Sequence, residues 1–268
     1  MSVTESRAIE SLLALLRAEP EGSAILSDLD GTLAPIVSDP GAAAVPSVAR
    51  ELLDQLCDRY ALVGCLTGRR AADARRIAGV DGMVYVGNHG LEALWPREDE
   101  PRPTRDLGEL ERAAARVAGG LDDRDVEAAG IRVEDKGPIQ ALHWRTAADE
   151  ARAMEVARVA ADRAAAAGLM PRWGRKVLEL RPPEANKGDA LRRLLTSREL
   201  RLAMFGGDDV TDLDAFAAIH ELERAGQLRT AIAIGVDSPE APEGLAAASD
   251  IVVSGTESYL DVLRLLSG

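Results

Sequence analysis

The sequence predicts an α/β protein with a doubly wound parallel sheet and a second, α+β unit inserted in it. The first 95 residues alternate apolar strand-like runs with amphipathic helices in the order β-α-β-α-β, which is typical of such a sheet. From about residue 104 to 180 the pattern becomes helix, two strands, helix, two strands. Strand–helix alternation then resumes, so we predict an α/β core of residues 1–103 and 181–268 and an α+β cap domain of residues 104–180.

Short apolar runs bounded by Gly, Pro or polar residues predict the core strands. These runs are 24–26, 61–66, 83–86, 202–205, 230–234 and 251–253. Apolar residues spaced three and four apart predict the helices between them. The predicted core helices cover 5–18, begin at Pro46, after Arg69 and after Asn186, and end with one that carries Tyr259, Val262, Leu263 and Leu266.

The predicted cap contains two helices and two hairpins. The helices span 107–117 and about 148–167, and the second is rich in alanine. The strands are 131–134, 139–144, 169–173 and 177–180, with turn residues between the members of each pair. This order makes the cap a separate unit with its own small core.

Composition restricts the class of partner. The net charge of −13 argues against a nucleic acid or an anionic membrane, whose phosphates would be repelled. An anionic substrate would then need local positive charge or a metal ion. Cys57 and Cys65 have no metal-like spacing, and no apolar stretch approaches the ~18 residues that span a bilayer. We therefore expect a cytoplasmic protein with reduced cysteines, no membrane partner and a monomeric state.

Two carboxylates follow the first predicted strand. Asp28 and Asp30 lie in the segment Ser27-Asp28-Leu29-Asp30-Gly31-Thr32. Residues i and i+2 of an extended chain point the same way, so such a pair needs a cation, a shared proton or solvent. For an isolated Asp-x-Asp, a solvated turn is the alternative interpretation.

Other strand ends supply the groups that phosphoryl transfer requires. Ligands of open α/β sheets bind at the carboxyl ends of the strands. There, Asp28 is the predicted nucleophile and Asp30 the general acid and base. The Thr67 hydroxyl and the Lys187 ammonium are predicted to bind the phosphoryl oxygens. Taken alone, Thr67 would mark a helix start and Lys187 a solvated turn.

An acidic segment after the strand at 202–205 completes a predicted Mg²⁺ site. We predict metal ligands at Asp28, Asp208, Asp209 and Asp30, the last through its backbone carbonyl. Asp212 is expected to orient Lys187 or to reach the metal through water. The alternative for this acidic segment is a cluster that caps a helix N-terminus.

Six motifs in this order resemble those of the trehalose-6-phosphate phosphatases, a family of haloacid-dehalogenase-like phosphohydrolases. They are DLDGTLAPI, TGR, GNHGLE, EDKGPIQALHWR, ELRPPEANKGDAL and GGDDVTD, and they span roughly residues 23–215. The resemblance implies a Rossmann-like haloacid-dehalogenase core with a C2-type cap. It also implies Mg²⁺-dependent hydrolysis of trehalose 6-phosphate through an aspartyl-phosphate.

The resemblance further implies that the cap closes on the core and holds the distal glucose. The implied substrate contacts are Arg69, Asn88, His89 and Gly90 in the core, and Lys136, His143, Arg145, Lys176 and Glu179 in the cap. Without the resemblance, His143 and Arg145 fit the ordinary alternation of a half-exposed strand.

Three alternatives remain at this stage. The first is that the substrate is another sugar phosphate, such as a trehalose analogue or the phosphate of sucrose or glucosylglycerate. The second is that the protein is a phosphosugar mutase, which predicts isomerisation without net release of phosphate. The third alternative is a non-catalytic sugar-phosphate sensor, against which the carboxylates of Asp28 and Asp30 argue, because a sensor has no use for both.

Overall fold

The computed structural model describes residues 3–37, 39–174, 176–183, 185–239 and 241–268. The chain forms two units. The core unit comprises the chain up to Arg102 together with Asn186–Gly268, and the cap unit is Pro103–Ala185. The return to the core therefore falls after residue 185, whereas the sequence prediction put it after residue 180.

The described strands and helices alternate along the core. In chain order the strands are β1 (Ser23–Ser27), β2 (Leu62–Leu66), β3 (Val84–Gly87), β4 (Glu92–Leu94), β5 (Arg102–Pro103), β6 (Arg132–Asp135), β7 (Gln140–His143), β8 (Met170–Gly174), β9 (Val177–Arg181), β10 (Leu202–Gly207), β11 (Thr230–Asp237) and β12 (Ile251–Ser254). The helices are α1 (Val3–Ala18), α2 (Ser47–Arg59), α3 (Ala71–Ala78), α4 (Gly108–Gly119), α5 (Asp123–Ala128), α6 (Glu150–Ala166), α7 (Lys187–Thr196), α8 (Asp212–Arg224), α9 (Leu245–Ala248) and α10 (Gly255–Ser267).

Strand order brings the predicted functional segments together. Among the described residues, the main sheet has the order β12-β11-β10-β1-β2-β3-β4-β5. Its strands from β12 to β3 pair in parallel, and β4 runs antiparallel to β3. Ser27 is in register with Cys65 on one side and Gly206 on the other. The loops that follow β1, β2 and β10 therefore leave the same edge of the sheet side by side.

Helices cover both faces of this sheet. Strands β1, β2, β3 and β10 are buried along their whole length, as expected for parallel strands inside a layered α/β fold. Ile25 belongs to the apolar cluster formed with α1, α2, α3 and α10. Leu26 and Phe205 belong to the cluster on the opposite face, with α7, α8 and α9. The doubly wound prediction is confirmed.

Four short elements were not predicted. The strands β4 and β5 have three and two residues, too few for alternation to be visible in the sequence. The helices α5 and α9 have six and four residues, too short to show a repeating apolar face.

The cap unit has its own sheet and its own apolar core. Its four strands pair antiparallel in the order β6-β7-β9-β8. Leu142, Leu178 and Leu180 pack with alanine-rich α6 and with α4, because small side chains let the helices approach closely. Successive residues of a strand face opposite sides, so Ala141 and Glu179 lie on the face turned away from these helices.

Both cysteines are free thiols; Cys65 is buried and Cys57 is partly buried. In the part of the chain that the structure describes, no helix has the length and apolarity needed to cross a membrane.

Candidate active site

The nucleophile candidate Asp28 lies directly beyond β1 and is buried. Its backbone N–H donates to the carbonyl of Gly206 at 2.8 Å, so the chain keeps a sheet-like bond one residue past the strand. The preceding Ser27 hydroxyl is hydrogen-bonded to the Tyr259 hydroxyl of α10 at 2.6 Å. Burial raises the pKa of Asp28 well above its usual value, although the Lys187 ammonium opposes this change.

Lys187 is a buried cation between two carboxylates. It is the first residue of α7, and the Asn186 side chain caps that helix by accepting from the Asp189 N–H. Its Nζ lies 2.8 Å from Oδ1 of Asp28 and 2.8 Å from Oδ1 of Asp212. Burial alone would lower the pKa of Lys187, but Asp212 and Asp28 outweigh it and raise the pKa well above normal. Lys187 therefore remains charged.

Hydrogen bonds fix the acidic loop between β10 and α8. Oδ2 of Asp212 accepts from the N–H groups of Asp208 (3.0 Å) and Asp209 (2.9 Å). Oδ1 of Asp209 accepts from the N–H and the hydroxyl of Thr211, both at 2.7 Å. Burial opposes ionisation of Asp209, but Lys187 and these bonds outweigh it and lower its pKa to about 2. Asp212 thus binds two backbone N–H groups of the loop through one oxygen and the Lys187 ammonium through the other.

Three buried carboxylates converge in a group that suits a divalent cation. Asp28, Asp208 and Asp212 each offer one oxygen, and these oxygens lie within 4.8 Å of one another. Burial, reinforced by Asp212, raises the pKa of Asp208 to about 7. Buried carboxylates that outnumber the single ammonium of Lys187 form an excess of negative charge, and oxygen is the ligand that Mg²⁺ prefers. The residues present therefore fit Mg²⁺, whereas Asp209, also predicted as a ligand, lies outside this group.

Asp30 belongs to the nucleophile loop, residues 28–32, and is paired with Arg69. Nε and Nη2 of Arg69 donate to the two oxygens of Asp30 at 2.6 and 2.7 Å, a bidentate ion pair. Arg69 follows Thr67, whose buried hydroxyl accepts from the Arg69 N–H at 3.2 Å. The segment Thr67–Gly68–Arg69, here called the phosphate loop, is thus joined to Asp30, the predicted acid–base residue, within the core unit.

The turn after β3 lies against the same loop. Asn88 and His89 are buried, and their N–H groups donate to the carbonyls of Arg69 (2.8 Å) and Thr67 (3.0 Å). Gly90 accepts from the Arg193 guanidinium at 3.0 Å. These three predicted contact residues are therefore part of the framework of the site.

Three pairs of opposite charge mark the polar face of the cap sheet. Lys136 Nζ lies 3.0 Å from Oε1 of Glu179, and Arg181 Nη1 lies 3.7 Å from Oε2 of Glu179. His143 Nε2 lies 2.7 Å from Oε2 of Glu134, and this hydrogen bond lowers the pKa of Glu134 to about 2. The structure thus brings Lys136 and Glu179 together and gives His143 a carboxylate partner.

The two other predicted cap contacts, Lys176 and Arg145, take no part in these pairs. Lys176 adopts a positive φ of 60° in the hairpin between β8 and β9, and its Nζ lies 2.8 Å from Oε2 of Glu150 at the start of α6. Arg145 is exposed in the turn after β7.

Sequence reasoning missed several side chains of these arrangements. Glu134 precedes Lys136 by two residues and Arg181 follows Glu179 by two, so strand alternation alone puts each pair on one face. Thr32 donates its hydroxyl to Asp208 Oδ1 at 3.0 Å. Its place in the nucleophile loop was visible, but its partner lies far away in the sequence.

The doubly wound sheet with its inserted cap is the fold of the haloacid-dehalogenase-like proteins. A solved haloacid dehalogenase-like hydrolase from Bacteroides thetaiotaomicron has the same fold, with a TM-score of 0.66 at 13% identity over 91% of this chain and all of that one. The C-terminal domain of C. albicans trehalose-6-phosphate phosphatase gives a TM-score of 0.76 at 22% identity, over 97% and 96% of the two chains.

Within this class, the chain belongs to the trehalose-phosphatase family, whose model matches residues 26–246. A probable trehalose-phosphate phosphatase of Sinorhizobium fredii is 31% identical over 83% of each chain. An uncharacterized glycosyl hydrolase of Mycobacterium tuberculosis is 39% identical over 73% of this chain but only 15% of its own length. The chain spans about half the length of the mycobacterial trehalose-phosphate phosphatases it matches. The predicted family is confirmed.

Proposed function

We propose that this protein hydrolyses trehalose 6-phosphate to trehalose and inorganic phosphate in an Mg²⁺-dependent reaction. The observation that carries the chemistry is the buried contact of Lys187 with Asp28, 2.8 Å between Nζ and Oδ1, beside Asp208 and Asp212. The choice of sugar is supported by the family and by the names of its relatives.

In the proposed reaction Asp28 attacks phosphorus and breaks its bond to the sugar oxygen. Asp30, which enters this step protonated and therefore no longer ion-paired with Arg69, gives its proton to that oxygen, and trehalose leaves. Asp30 then takes a proton from water, which attacks the aspartyl-phosphate and restores the Asp28 carboxylate as phosphate departs.

The other core residues bind and orient the phosphoryl group. Lys187 and the Thr67 loop contribute positive charge and donors, whose value grows as charge develops in the transition state. Bound Mg²⁺ would neutralise the charge of the phosphoryl oxygens. Asp28 and Asp208 are the proposed ligands, with Asp212 as the third carboxylate of the group.

We further propose that the polar face of the cap binds the sugar hydroxyls. Lys136 and Glu179 are paired there, and His143 is paired with Glu134. Charged donors and acceptors that hold one another are ordered before a ligand arrives, which lowers the entropy lost on binding. Arg145 and Lys176 remain proposed contacts of the same substrate.

The decisive experiment measures phosphate release from a panel of sugar phosphates, with and without Mg²⁺. Trehalose 6-phosphate is expected to have the highest kcat/KM, above sucrose 6-phosphate, phosphorylated glucosylglycerate and glucose 6-phosphate. Asp28→Asn, which keeps the shape of the side chain, is expected to release no phosphate. Equal rates on all sugars would overturn the trehalose assignment, and isomerisation without phosphate release would indicate a mutase.

We also propose that the protein acts as a monomer in the cytoplasm. One chain supplies every residue of the proposed site, and its two cysteines are free thiols, as a reducing compartment favours. Light scattering after size exclusion and cell fractionation test the two statements. A dimer mass or a secreted fraction would contradict them.

A further inference from the structure

The turn after β3 has an unusual backbone. Asn88, His89 and Gly90 follow one another with φ values of 51°, 55° and 103°. The left-handed region is unfavourable for a residue other than glycine, so two such residues in succession are a clear outlier. The turn is also buried, with Asn88 and His89 at 0% and 7% exposure. Strain of this kind persists only where the surroundings enforce it.

Backbone bonds join this turn to the proposed phosphate loop. The N–H of Asn88 donates to the carbonyl of Arg69, and the N–H of His89 donates to the carbonyl of Thr67. From the other side Arg193 of α7 donates to the carbonyl of Gly90. The left-handed conformation presents both N–H groups to one loop, and the phosphate loop is held at both ends.

The His89 imidazole lies against the middle of the same loop. A Cβ placed on Gly68 would be 2.7 Å from both Cε1 and Nε2 of His89, closer than real Cβ atoms come to such atoms. Glycine at position 68 is therefore matched to the ring of His89. The ring and the two backbone bonds together leave the Thr67–Gly68–Arg69 segment little freedom to move.

We propose that the left-handed turn at residues 88–90 is a positioning element for the phosphate loop, and that His89 is a positioning residue acting through Gly68. This proposal rests on the phosphatase function proposed above. It differs from a sugar-contact role in one measurable respect. A residue that positions the phosphate loop affects every phosphomonoester, whereas a sugar contact affects only substrates that carry the sugar.

The experiment uses Gly68→Ala, His89→Ala and the double variant, with kcat and KM measured on p-nitrophenyl phosphate and on trehalose 6-phosphate. Gly68→Ala is expected to lower kcat about 10- to 100-fold on both substrates, because displacement of the loop by a fraction of an ångström misplaces the reacting groups. His89→Ala is expected to lower kcat about fivefold on both. In the double variant the new methyl group enters the space left by the ring, so part of the Gly68→Ala loss is recovered.

Gly82→Ala is the matched control. A Cβ at Gly82 would lie 2.9 Å from the Cβ of Cys57, a similar crowding in the loop before β3, away from the site. It is expected to change the melting temperature without changing kcat. Melting curves of all variants separate loss of the fold from loss of position, and His89→Ala remains informative if Gly68→Ala does not fold.

Two results would overturn the proposal. One is a loss in His89→Ala that is confined to trehalose 6-phosphate, and the other is a double variant whose losses simply multiply. If the unaltered protein releases phosphate from neither substrate, the proposed function fails, and titration with inorganic phosphate becomes the test. His89→Ala is then expected to bind phosphate about fivefold more weakly, and unchanged affinity would overturn the proposal by itself.

Discussion

We expect Asp208→Asn to be more stable than the unaltered protein when no metal is present. With Mg²⁺ bound, we expect it to be less stable than the unaltered protein. The pKa of Asp208 is raised from 3.8 to about 7, chiefly by burial. At about 1.4 kcal/mol per pKa unit, ionised Asp208 destabilises the fold by about 4 kcal/mol above pH 7. Burying the amide nitrogen of asparagine costs about 1–2 kcal/mol, which leaves a net gain of about 2 kcal/mol. Thr32 keeps an acceptor in the variant, because its bond goes to a side-chain oxygen.

The pH dependence follows from the sign of this shift. A carboxyl whose folded pKa is raised causes no penalty below its unfolded value of 3.8, an increasing penalty up to about pH 7 and a constant one above. The advantage of Asp208→Asn should therefore be full at pH 8 and smaller at pH 5. A chain of this size gains about 2–4 °C in Tm per kcal/mol, so about 4–8 °C is expected at pH 8 with EDTA.

Mg²⁺ should reverse the order. At a concentration of 1,000 Kd it stabilises the unaltered protein by about 4.1 kcal/mol, which exceeds the advantage of the variant, and the variant, which lacks a ligand carboxylate, gains much less. Differential scanning fluorimetry in EDTA and in Mg²⁺ measures both differences, with Glu51→Gln, an exposed acid on α2, as the charge control. The reasoning is refuted if Asp208→Asn melts below the unaltered protein in EDTA at pH 8, or if Mg²⁺ raises both melting temperatures equally.

Three further substitutions test the core and the cap. Gly31→Ala should lower the free energy of unfolding by at least about 2 kcal/mol and remove most of the activity, because φ is 84° and a Cβ would overlap the Asp208 carboxylate. A melting temperature and a kcat equal to those of the unaltered protein would contradict this placement. Glu179→Gln should lower kcat/KM about tenfold on trehalose 6-phosphate and little on p-nitrophenyl phosphate, since it weakens only proposed sugar contacts, and equal losses on both would count against a sugar-binding cap. Tyr259→Phe should lower the free energy of unfolding by about 1 kcal/mol, and adding Ser27→Ala should lower it no further, because the two substitutions remove the same hydrogen bond. Additive losses in chemical denaturation would show that the two side chains contribute separately.

Local patterns carried most of the core fold. The run 61–66 predicts a strand, and β2 is Leu62–Leu66; likewise the run 202–205 predicts β10, Leu202–Gly207. These runs are readable because strands buried on both faces are continuously apolar. The position of β1 between β10 and β2 could not be predicted, because Ser23 pairs with Leu202, which lies 179 positions further along the chain.

The candidate site shows the same division. Asp28, Lys187 and Asp208 were predicted from residue type and from their places at strand ends or helix starts, and their roles remain predictions. Asp212 was expected to orient Lys187 or to reach the metal through water. Its Oδ1 lies 2.8 Å from Lys187 Nζ, and it also belongs to the group with Asp28 and Asp208, whereas Asp209 accepts from Thr211 within the loop. Asp208, Asp209 and Asp212 are the same residue type, so the sequence does not distinguish them. Only the path of the backbone decides which of the three carboxylates joins the buried group.

Local patterns, and motifs in a fixed order, were enough to predict the fold class, the family and the set of chemical groups. The contacts between these groups depend on the folded chain: Lys187 lies between Asp28 and Asp212, Arg69 pairs with Asp30, and the His89 ring packs against Gly68. These contacts could not be predicted because they join residues that are far apart in the sequence. Strand order and the left-handed turn join segments that are remote in sequence, and no local pattern specifies which of many polar side chains will meet there.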